Sequence, residues 1–574
     1  MTEENRKKII SNDYINLFIE PNVFNEQYAE SVGGVINSIN DRDAVIYIPI
    51  DKAKENPIDN RYPVLPRLFG LLDLTNLEAM NVDKIQNIPN FALKGQGVLL
   101  GFIDTGIEYT NPIFQYNDQT TRIVSIWDQT IENMDASKDI FYYGTEYTRN
   151  QIDLALKSED PHSIVPSTDE QGHGTRIAAL AGGSDIGTFR GVAPYAEYII
   201  VKLKPAKTTM KHIYPTPEDT LSYQEDDIMF GIQYLFNTAR KLNRPIAICV
   251  AVGTNQGSHD GLSTLCRMLS DLSIRQGVAI IVAAGQENLA GHHYFFAEKN
   301  GGSTEYKKSV FLKIAENEKN FSIEIWGKSP AHYFVGISSP TGDRLDIIPA
   351  GIDRVVKKFY FENTTVIIEY YNVEPHTGDP LILICFDNPA PGRWSIDVYG
   401  TGDYMSSGFH IWIPMSGFLK ESTQISSSSE FTEFEEKNPE TTLTSPSDAL
   451  LPITVTAYDH RNEGIYMFAG RGYTRNNMVK PDLAAPGVSI YCPTTFGETF
   501  KSGTSLAAAE TTGIAAMVLE WGIIRKEYPF MTGIDVKQFL IDGVYRSHEI
   551  KYPNAEWGYG ILDIYETFLK VRKK

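Results

Sequence analysis

Near the end of the chain stands the stretch Gly503-Thr504-Ser505-Leu506-Ala507-Ala508, in which a serine opens a run of small residues that predicts a helix over 506–521. Two motifs upstream accompany it, Ile103-Asp104-Thr105-Gly106 and Gly172-His173-Gly174-Thr175. An aspartate, a histidine and a serine thus occur in this order, each within two residues of a glycine. That order is one of the convergent arrangements that activate a serine for acyl transfer.

Each motif alone is also compatible with another class of enzyme or with a purely structural role. Aspartic proteases need two carboxylates that share a proton, and the chain has a single Asp-Thr-Gly, at Asp104. The nucleophile elbow of α/β-hydrolases is loosely similar to the Ser505 motif, but there the order is serine, acid, histidine, and only 69 residues follow Ser505 here. A purely structural role, with a strand-end aspartate, a loop histidine and a helix-capping serine, stays open for any one motif.

Apolar strands alternate with helices from Asn76 onward. This alternation predicts an α/β core built on a doubly wound parallel sheet, with ligands bound at the carboxyl ends of the strands. Asp104 and the stretch Ala251-Val252-Gly253 fall at such ends. The predicted strands and the main helix are Val98–Ile103, Tyr198–Leu203, Pro245–Val252, Gly277–Ala284 and Asp226–Leu242.

Between residues 302 and 414 the pattern changes to short alternating strands separated by turns, which predicts an inserted all-β sandwich or jelly roll. The eight strands are expected at 309–314, 321–326, 333–338, 355–361, 366–371, 381–386, 394–399 and 409–413. The core then comprises residues 75–301 and 415–574, and residues 1–74 form a small N-terminal α+β unit. In that unit we expect a helix over 25–39, a strand over 44–50 and an extended apolar stretch over 64–74.

Together the three motifs resemble the subtilisin-like serine proteases, or subtilases. The resemblance implies that Ser505 is the nucleophile, that His173 takes its proton and later protonates the leaving amine, and that Asp104 fixes the histidine. It implies that Ala251, Val252 and Gly253 pair with an extended protein or peptide substrate. It also implies that residues 1–74 are a prodomain that lays its last residues into the cleft and is cut between Leu72 and Asn76, with an N-terminal interaction domain as the alternative.

One position departs from the subtilase pattern. In Ala283-Ala284-Gly285-Gln286-Glu287-Asn288 the family normally has asparagine after the glycine, as the side-chain donor to the oxyanion. Gln286 carries the same amide on a longer side chain, so we expect it to overshoot unless the backbone or rotamer adjusts, and activity to be reduced. Losing one such donor costs ~10²–10³-fold in kcat in subtilisin. Asn288, two residues further on, is an alternative donor in a different register. Glu510 occupies a position where relatives often have histidine.

Charge and cysteine content exclude several classes of function. The net charge of −20 argues against nucleic acid and anionic membranes as partners. Cys249, Cys266, Cys385 and Cys492 are scattered without metal-binding spacing, so we expect free buried thiols. The adjacent pair His292-His293 has no accompanying carboxylate cluster, so no metal and no cofactor is predicted, with calcium left open.

The sequence contains no run of 18 apolar residues, so no membrane span is predicted. Residues 1–8 are polar and lack the apolar region of a Sec signal peptide. We therefore expect a protein that is cytoplasmic when synthesised and then stays in the cell that makes it, or is packaged there.

Further motifs narrow the resemblance to one group within the subtilases. Clostridial germination proteases carry a β insert at this place and share Trp127-Asp128-Gln129-Thr130, Gly470-Arg471-Gly472-Tyr473-Thr474-Arg475 and Glu556-Trp557-Gly558-Tyr559-Gly560. Proteins of this group are stored in spores and activate a cortex-lytic enzyme by limited proteolysis, so the resemblance implies that this protein is packaged in the spore. Some members are pseudoproteases in germinant signalling. The resemblance implies a self-processing serine endopeptidase, with a weakly active or inactive signalling or binding scaffold as the alternative.

Overall fold

The fold is that of a computed structural model. It describes residues 3–19, 23–55, 64–71, 78–88, 91–132, 141–187, 189–297, 305–347, 354–401, 408–428, 438–494 and 497–571.

A nine-stranded sheet forms the centre of the molecule. Seven of its strands run parallel, and antiparallel strands close its two ends at Thr145–Thr148 and Gly464–Ile465. Every residue of Leu99–Asp104 is buried, as expected for a parallel strand covered on both faces. In order across the sheet the strands are Gly464–Ile465, Ile453–Asp459, Val278–Ala283, Ile246–Val250, Leu99–Asp104, Glu197–Lys202, Ile123–Asp128 and Thr145–Thr148, with Leu483–Pro486 also paired to Ile453–Asp459.

Helices cover both faces of this sheet. Because side chains alternate along a strand, Leu99 and Ile103 pack in one apolar cluster with helices Glu225–Lys241 and Thr264–Ser273. Leu100 and Phe102 pack in the opposite cluster, with helices that include His173–Gly182. The predicted doubly wound α/β fold is therefore confirmed. The other helices of eight or more residues in the described core are Arg149–Leu156, Thr504–Leu519, Gly533–Gly543 and Ile564–Val571.

The helix Thr504–Leu519, called here the nucleophile helix, is buried along its whole length. It is apolar on all sides, as a helix inside a core must be. Extended by the turn to Ile524, it is long and apolar enough to cross a membrane, but 83% of its apolar window is buried inside the molecule. That burial is typical of the central helix of a globular core.

Residues 3–55 form the N-terminal unit. Its three antiparallel strands, in the order Tyr14–Ile19, Ala44–Pro49, Val35–Ser38, pack with helices Glu3–Ile10, Val23–Val32 and Ile50–Glu55. The helix predicted over 25–39 is wrong beyond Val32. Gly33 adopts a positive φ of 71°, and a side chain at Gly34 would meet the Tyr47 carbonyl at 2.6 Å, so the chain turns and continues as a strand.

Two asparagine side chains of the N-terminal unit form hydrogen bonds with the core. The buried Asn16 accepts a hydrogen bond from Lys207 Nζ at 2.7 Å and donates one to Asp226. Asn37 Nδ2 donates to the Phe141 carbonyl at 2.8 Å. Burial lowers the pKa of Lys207 to about 7. The N-terminal unit is thus built onto the core by specific polar contacts.

The β insert consists of two antiparallel sheets that share one apolar core. It extends past the predicted bounds of 302 and 414, because His293–Phe296 and Gln424–Ser426 each add an edge strand. The name β insert is used below for residues 293–426. One sheet contains His293–Phe296, Phe409–Trp412, Phe321–Trp326, Leu381–Asp387, Thr364–Tyr371 and Arg354–Phe359, and the other contains Arg344–Leu345, His332–Ser338, Gly392–Thr401, Glu305–Ile314 and Gln424–Ser426.

Arg475 joins the β insert to the core. Its guanidinium pairs with Asp260 of the core and with Asp379 of the insert, both at 2.9 Å. Nη1 also donates to the Gly327 carbonyl at 3.0 Å, and the group lies 5.2 Å from the centre of the Trp326 ring. A buried cation with two carboxylate partners fixes one orientation of the insert on the core.

Candidate active site

Asp104, His173 and Ser505 lie together at the carboxyl edge of the central sheet. Asp104 ends the strand Leu99–Asp104, His173 is the first residue of its helix, and Ser505 is the second residue of the nucleophile helix. His173 Nδ1 is 2.7 Å from Asp104 Oδ1, and His173 Nε2 is 3.4 Å from Ser505 Oγ. The three side chains are 1%, 2% and 0% exposed, so this contact chain is enclosed.

The loop after Asp104 holds its carboxylate. Thr105 donates to Asp104 Oδ1 from its backbone N–H at 2.8 Å and from its hydroxyl at 3.1 Å. The same hydroxyl accepts the backbone N–H of Gly174 at 2.9 Å. A Cβ at Gly174 would stand 2.2 Å from the Gly106 carbonyl oxygen, so only glycine permits the two motifs to approach this closely. The glycines of the two motifs thus bring aspartate and histidine into contact.

Asp169, which the sequence analysis did not identify, caps the helix that carries His173. Its Oδ1 accepts the N–H of Gly172 at 2.8 Å, and its Oδ2 accepts the N–H and hydroxyl of Thr175 at 2.8 and 2.7 Å. Asp169 is 4% exposed. Because Asp169 lies three residues before the N-cap residue Gly172, the usual capping pattern, with the acceptor at the N-cap itself, does not reveal it in the sequence.

We expect Asp169→Ala to cost about 1 kcal/mol of stability, as loss of a helix cap does. It should also lower kcat roughly tenfold, because the helix that orients His173 loses three acceptor contacts and small displacements at a reacting group are costly. Thermal unfolding and peptide hydrolysis measure the two effects. Asp169→Asn retains one acceptor and should fall between wild type and alanine. A kcat of Asp169→Ala equal to that of wild type would contradict the positioning role.

Two short strands line an extended groove beside these residues. Val252–Gly253 and Tyr223–Gln224 pair, both antiparallel, with the strand Leu68–Leu71, which lies between them and is called here the cleft strand. Leu71 faces Val252 and Gly70 faces Gly253 in this register. Val252 and Gly253 therefore lie where the sequence analysis expected an extended peptide, and the buried Ala251 directly precedes them.

The Tyr223–Gln224 edge was missed, because a strand of two residues leaves no alternation in the sequence. The groove is occupied by the chain's own segment, a few residues before the cut predicted between Leu72 and Asn76. That cut and the unit boundary predicted at residue 74 lie outside the described residues.

Gln286 lies in a loop attached to the nucleophile helix. The backbone N–H of Gly285 donates to Thr504 Oγ1 at 3.1 Å, one residue before Ser505. Gln286 is half-buried, and its Oε1 accepts a hydrogen bond from Tyr466 Oη at 3.3 Å. Residues 285–288 are called here the oxyanion loop, after the role predicted for Gln286. Asn288 does not stand in for Gln286, because its Nδ2 donates to the Met467 carbonyl at 2.7 Å.

The remaining candidate groups are inert or engaged elsewhere. All four cysteines are free, and burial raises the pKa of the Cys249 thiol, which lies on a core strand, to about 12. His292 Nδ1 contacts Glu287 at 2.6 Å, whereas His293 Nε2 contacts His410 at 3.0 Å. Within the described part of the chain, no three His, Cys, Asp or Glu side chains are grouped to hold a metal. Glu510 is fully buried in the nucleophile helix.

The chain resembles known proteins both in sequence and in fold. The model of the subtilase family (Peptidase S8) matches residues 95–311 and 421–560, and the unmatched stretch falls within the β insert. The CspB protease of Clostridium perfringens is 30% identical in sequence, and its structure superposes with a TM-score of 0.75 over 87% of this chain and 97% of that one. An uncharacterized protein of Aquifex aeolicus is 28% identical over 179 residues, 26% of this chain and 73% of the relative. The chain belongs to the subtilase family.

Proposed function

We propose that this protein is a serine endopeptidase that cleaves peptide bonds through an acyl-enzyme. The observation that carries the proposal is the continuous contact from Asp104 Oδ1 through the His173 ring to Ser505 Oγ. The 3.4 Å between His173 Nε2 and Ser505 Oγ is at the long end of a hydrogen bond. Such contacts are often long without substrate and tighten in the Michaelis complex.

We assign each group a step that is compatible with this geometry. With Nδ1–H donated to Asp104, the Nε2 lone pair of His173 faces Ser505 and takes the hydroxyl proton as the oxygen attacks the carbonyl carbon. The imidazolium that forms is stabilised by the Asp104 carboxylate and gives the proton to the departing amine. Water then attacks the acyl-enzyme through the same series of proton transfers. The N-terminus of the nucleophile helix and the Gln286 amide are the donors that we assign to the oxyanion.

The groove defines the class of substrate. Backbone pairing on the Val252–Gly253 and Tyr223–Gln224 edges accepts any extended polypeptide, so the substrate is a protein or peptide. The cleft strand makes this pairing within the chain itself, which supports self-processing with the N-terminal unit acting as prodomain.

For the biological role we propose limited proteolysis of a cortex-lytic zymogen during spore germination, by a protein stored in the spore. The likeness to the CspB protease and the shared motifs around Trp127 and Arg475 support this role. Incubation with a purified clostridial cortex-lytic zymogen should yield one new N-terminus in the zymogen. A zymogen that stays intact beside a self-processed protease would overturn the role and leave the chemistry standing.

The chemistry is tested by a fluorophosphonate probe, which reacts only with an activated serine. Because Ser505 is enclosed, we expect slow labelling that accelerates once the N-terminal unit is displaced or digested, and peptide mapping should locate the label on Ser505. His173→Ala should abolish the labelling. A protein that stays unlabelled after removal of the N-terminal unit is an inactive scaffold, and the pseudoprotease alternative then replaces this proposal.

A further inference from the structure

Glu287 is a buried carboxylate that touches three separate segments. It is 2% exposed and follows Gln286 directly. Its Oε2 is 2.6 Å from His292 Nδ1 and accepts Asn255 Nδ2 at 3.1 Å, while its Oε1 accepts the backbone N–H of Ser416 at 2.9 Å. A carboxylate without such partners would not be tolerated inside the protein. The three donors therefore determine where Glu287 lies.

Each of the three segments leads to a different part of the molecule. Asn255 is two residues beyond Gly253, the end of one edge of the substrate groove. His292 immediately precedes the first strand of the β insert, and Ser416 follows the strand Phe409–Trp412 of the insert. The two connections also bind each other, since the Ile413 N–H donates to the His292 carbonyl at 3.0 Å.

We propose that Glu287 is a positioning residue that ties the oxyanion loop and the substrate groove to the base of the β insert. This inference rests on the proposed function, because it concerns the placement of Gln286 and Val252–Gly253 during hydrolysis. We assign Glu287 no direct contact with the reacting atoms. Its effect passes through Gln286, the adjacent residue.

Ionised Glu287 is the form that fits these partners. Burial alone would raise its pKa, but contact with His292 and the hydrogen bonds at Ser416 bring the pKa below the ordinary value of a glutamate. A neutral glutamine at this position keeps one acceptor oxygen and places an NH₂ where a donor already points. Either the backbone N–H of Ser416 or the donors of His292 and Asn255 then lose their acceptor, and the oxyanion loop shifts.

The β insert contains a matched control. Glu374 is also 2% exposed, contacts His376 Nδ1 at 2.8 Å, and accepts the backbone N–H groups of His376 and Thr377. It belongs to a connection inside the insert. Glu374→Gln therefore imposes the same chemical change on a similar buried pair away from the oxyanion loop.

The test compares Glu287→Gln with Glu374→Gln on a peptide substrate. We expect Glu287→Gln to lower kcat roughly tenfold or more with KM changed less than about threefold, since the shifted groups act on the transition state. Glu374→Gln should keep the wild-type kcat. An unchanged kcat in Glu287→Gln, or an equal loss in Glu374→Gln, overturns the proposal.

A second measurement does not need activity. In the Ser505→Ala background, hydrogen exchange should become faster in 284–291 and 252–258 upon Glu287→Gln, and stay unchanged there upon Glu374→Gln. Unchanged hydrogen exchange overturns the positioning role of Glu287 even if hydrolysis is never detected. Absence of hydrolysis by the wild-type protein alone contradicts only the proposed function.

A third comparison covers the case in which Glu287→Gln fails to fold. Asparagine carries an N–H donor near the position of His292 Nδ1, so His292→Asn should retain most of kcat while His292→Ala loses it. Equal activities of these two variants would exclude a role for the His292–Glu287 contact.

Discussion

Ser505→Ala should leave the purified chain at its full 64.3 kDa, whereas the wild-type chain should be cut between residues 72 and 76. The cleft strand is already paired on both of its edges, so self-processing would need no separate step of substrate binding. Such an intramolecular reaction gains from proximity and orientation. Intact-mass spectrometry of the two proteins, with N-terminal sequencing of the wild type, measures the outcome.

The size of this effect follows from the role of the serine. Removing the triad serine of subtilisin costs ~10⁶-fold in kcat, which is enough to suppress processing during expression and purification. Ser447→Ala is a matched control, because Ser447 is also fully buried and lies outside the contact chain. It should process like wild type. Full-length wild-type protein, or cutting that persists in Ser505→Ala, would contradict self-processing.

The sequence predicted the central sheet well because its strands are continuous apolar runs. Leu99–Asp104 and Val278–Ala283 are buried at every position, and Asp104, at the very end of its strand, is their one polar residue. The strands of the β insert could also be predicted, because buried and more exposed residues alternate along several of them. Thr364–Tyr371 alternates between buried and half-exposed residues, which is the pattern of a strand with one covered face.

What the sequence did not reveal depends on contacts between distant segments. His293–Phe296 is an edge strand only because Phe409–Trp412, more than a hundred residues later, pairs with it. Gln286 differed from the family pattern in the sequence, but its hydrogen bond from Tyr466 Oη, 180 residues away, appears only in the fold. Propensity and periodicity describe local order and carry no signal for such pairs.

We expect a second large loss of kcat upon substitution of Gln286, which is in contact with Tyr466. Tyr466 Oη binds the amide oxygen of Gln286 and thereby orients the amide. The Gln286 amide nitrogen has no hydrogen bond with the described part of the chain, and we assign it to the oxyanion. Gln286→Ala should then lower kcat by ~10²–10³-fold with little change in KM, the cost of one oxyanion donor. Steady-state peptide hydrolysis by the processed enzyme measures it.

Two further variants separate an adapted donor from a misplaced one. Tyr466→Phe removes the hydroxyl that orients the amide and should lower kcat about fivefold, in line with the roughly 1 kcal/mol that a hydrogen bond contributes. Gln286→Asn shortens the side chain by one methylene and draws the amide away from Tyr466, so it should also lose activity. If Gln286→Asn instead gains activity while Gln286→Ala equals wild type, the longer amide contributes nothing and the backbone alone holds the oxyanion. The low activity expected from the sequence would then follow from Gln286, and a single substitution would relieve it.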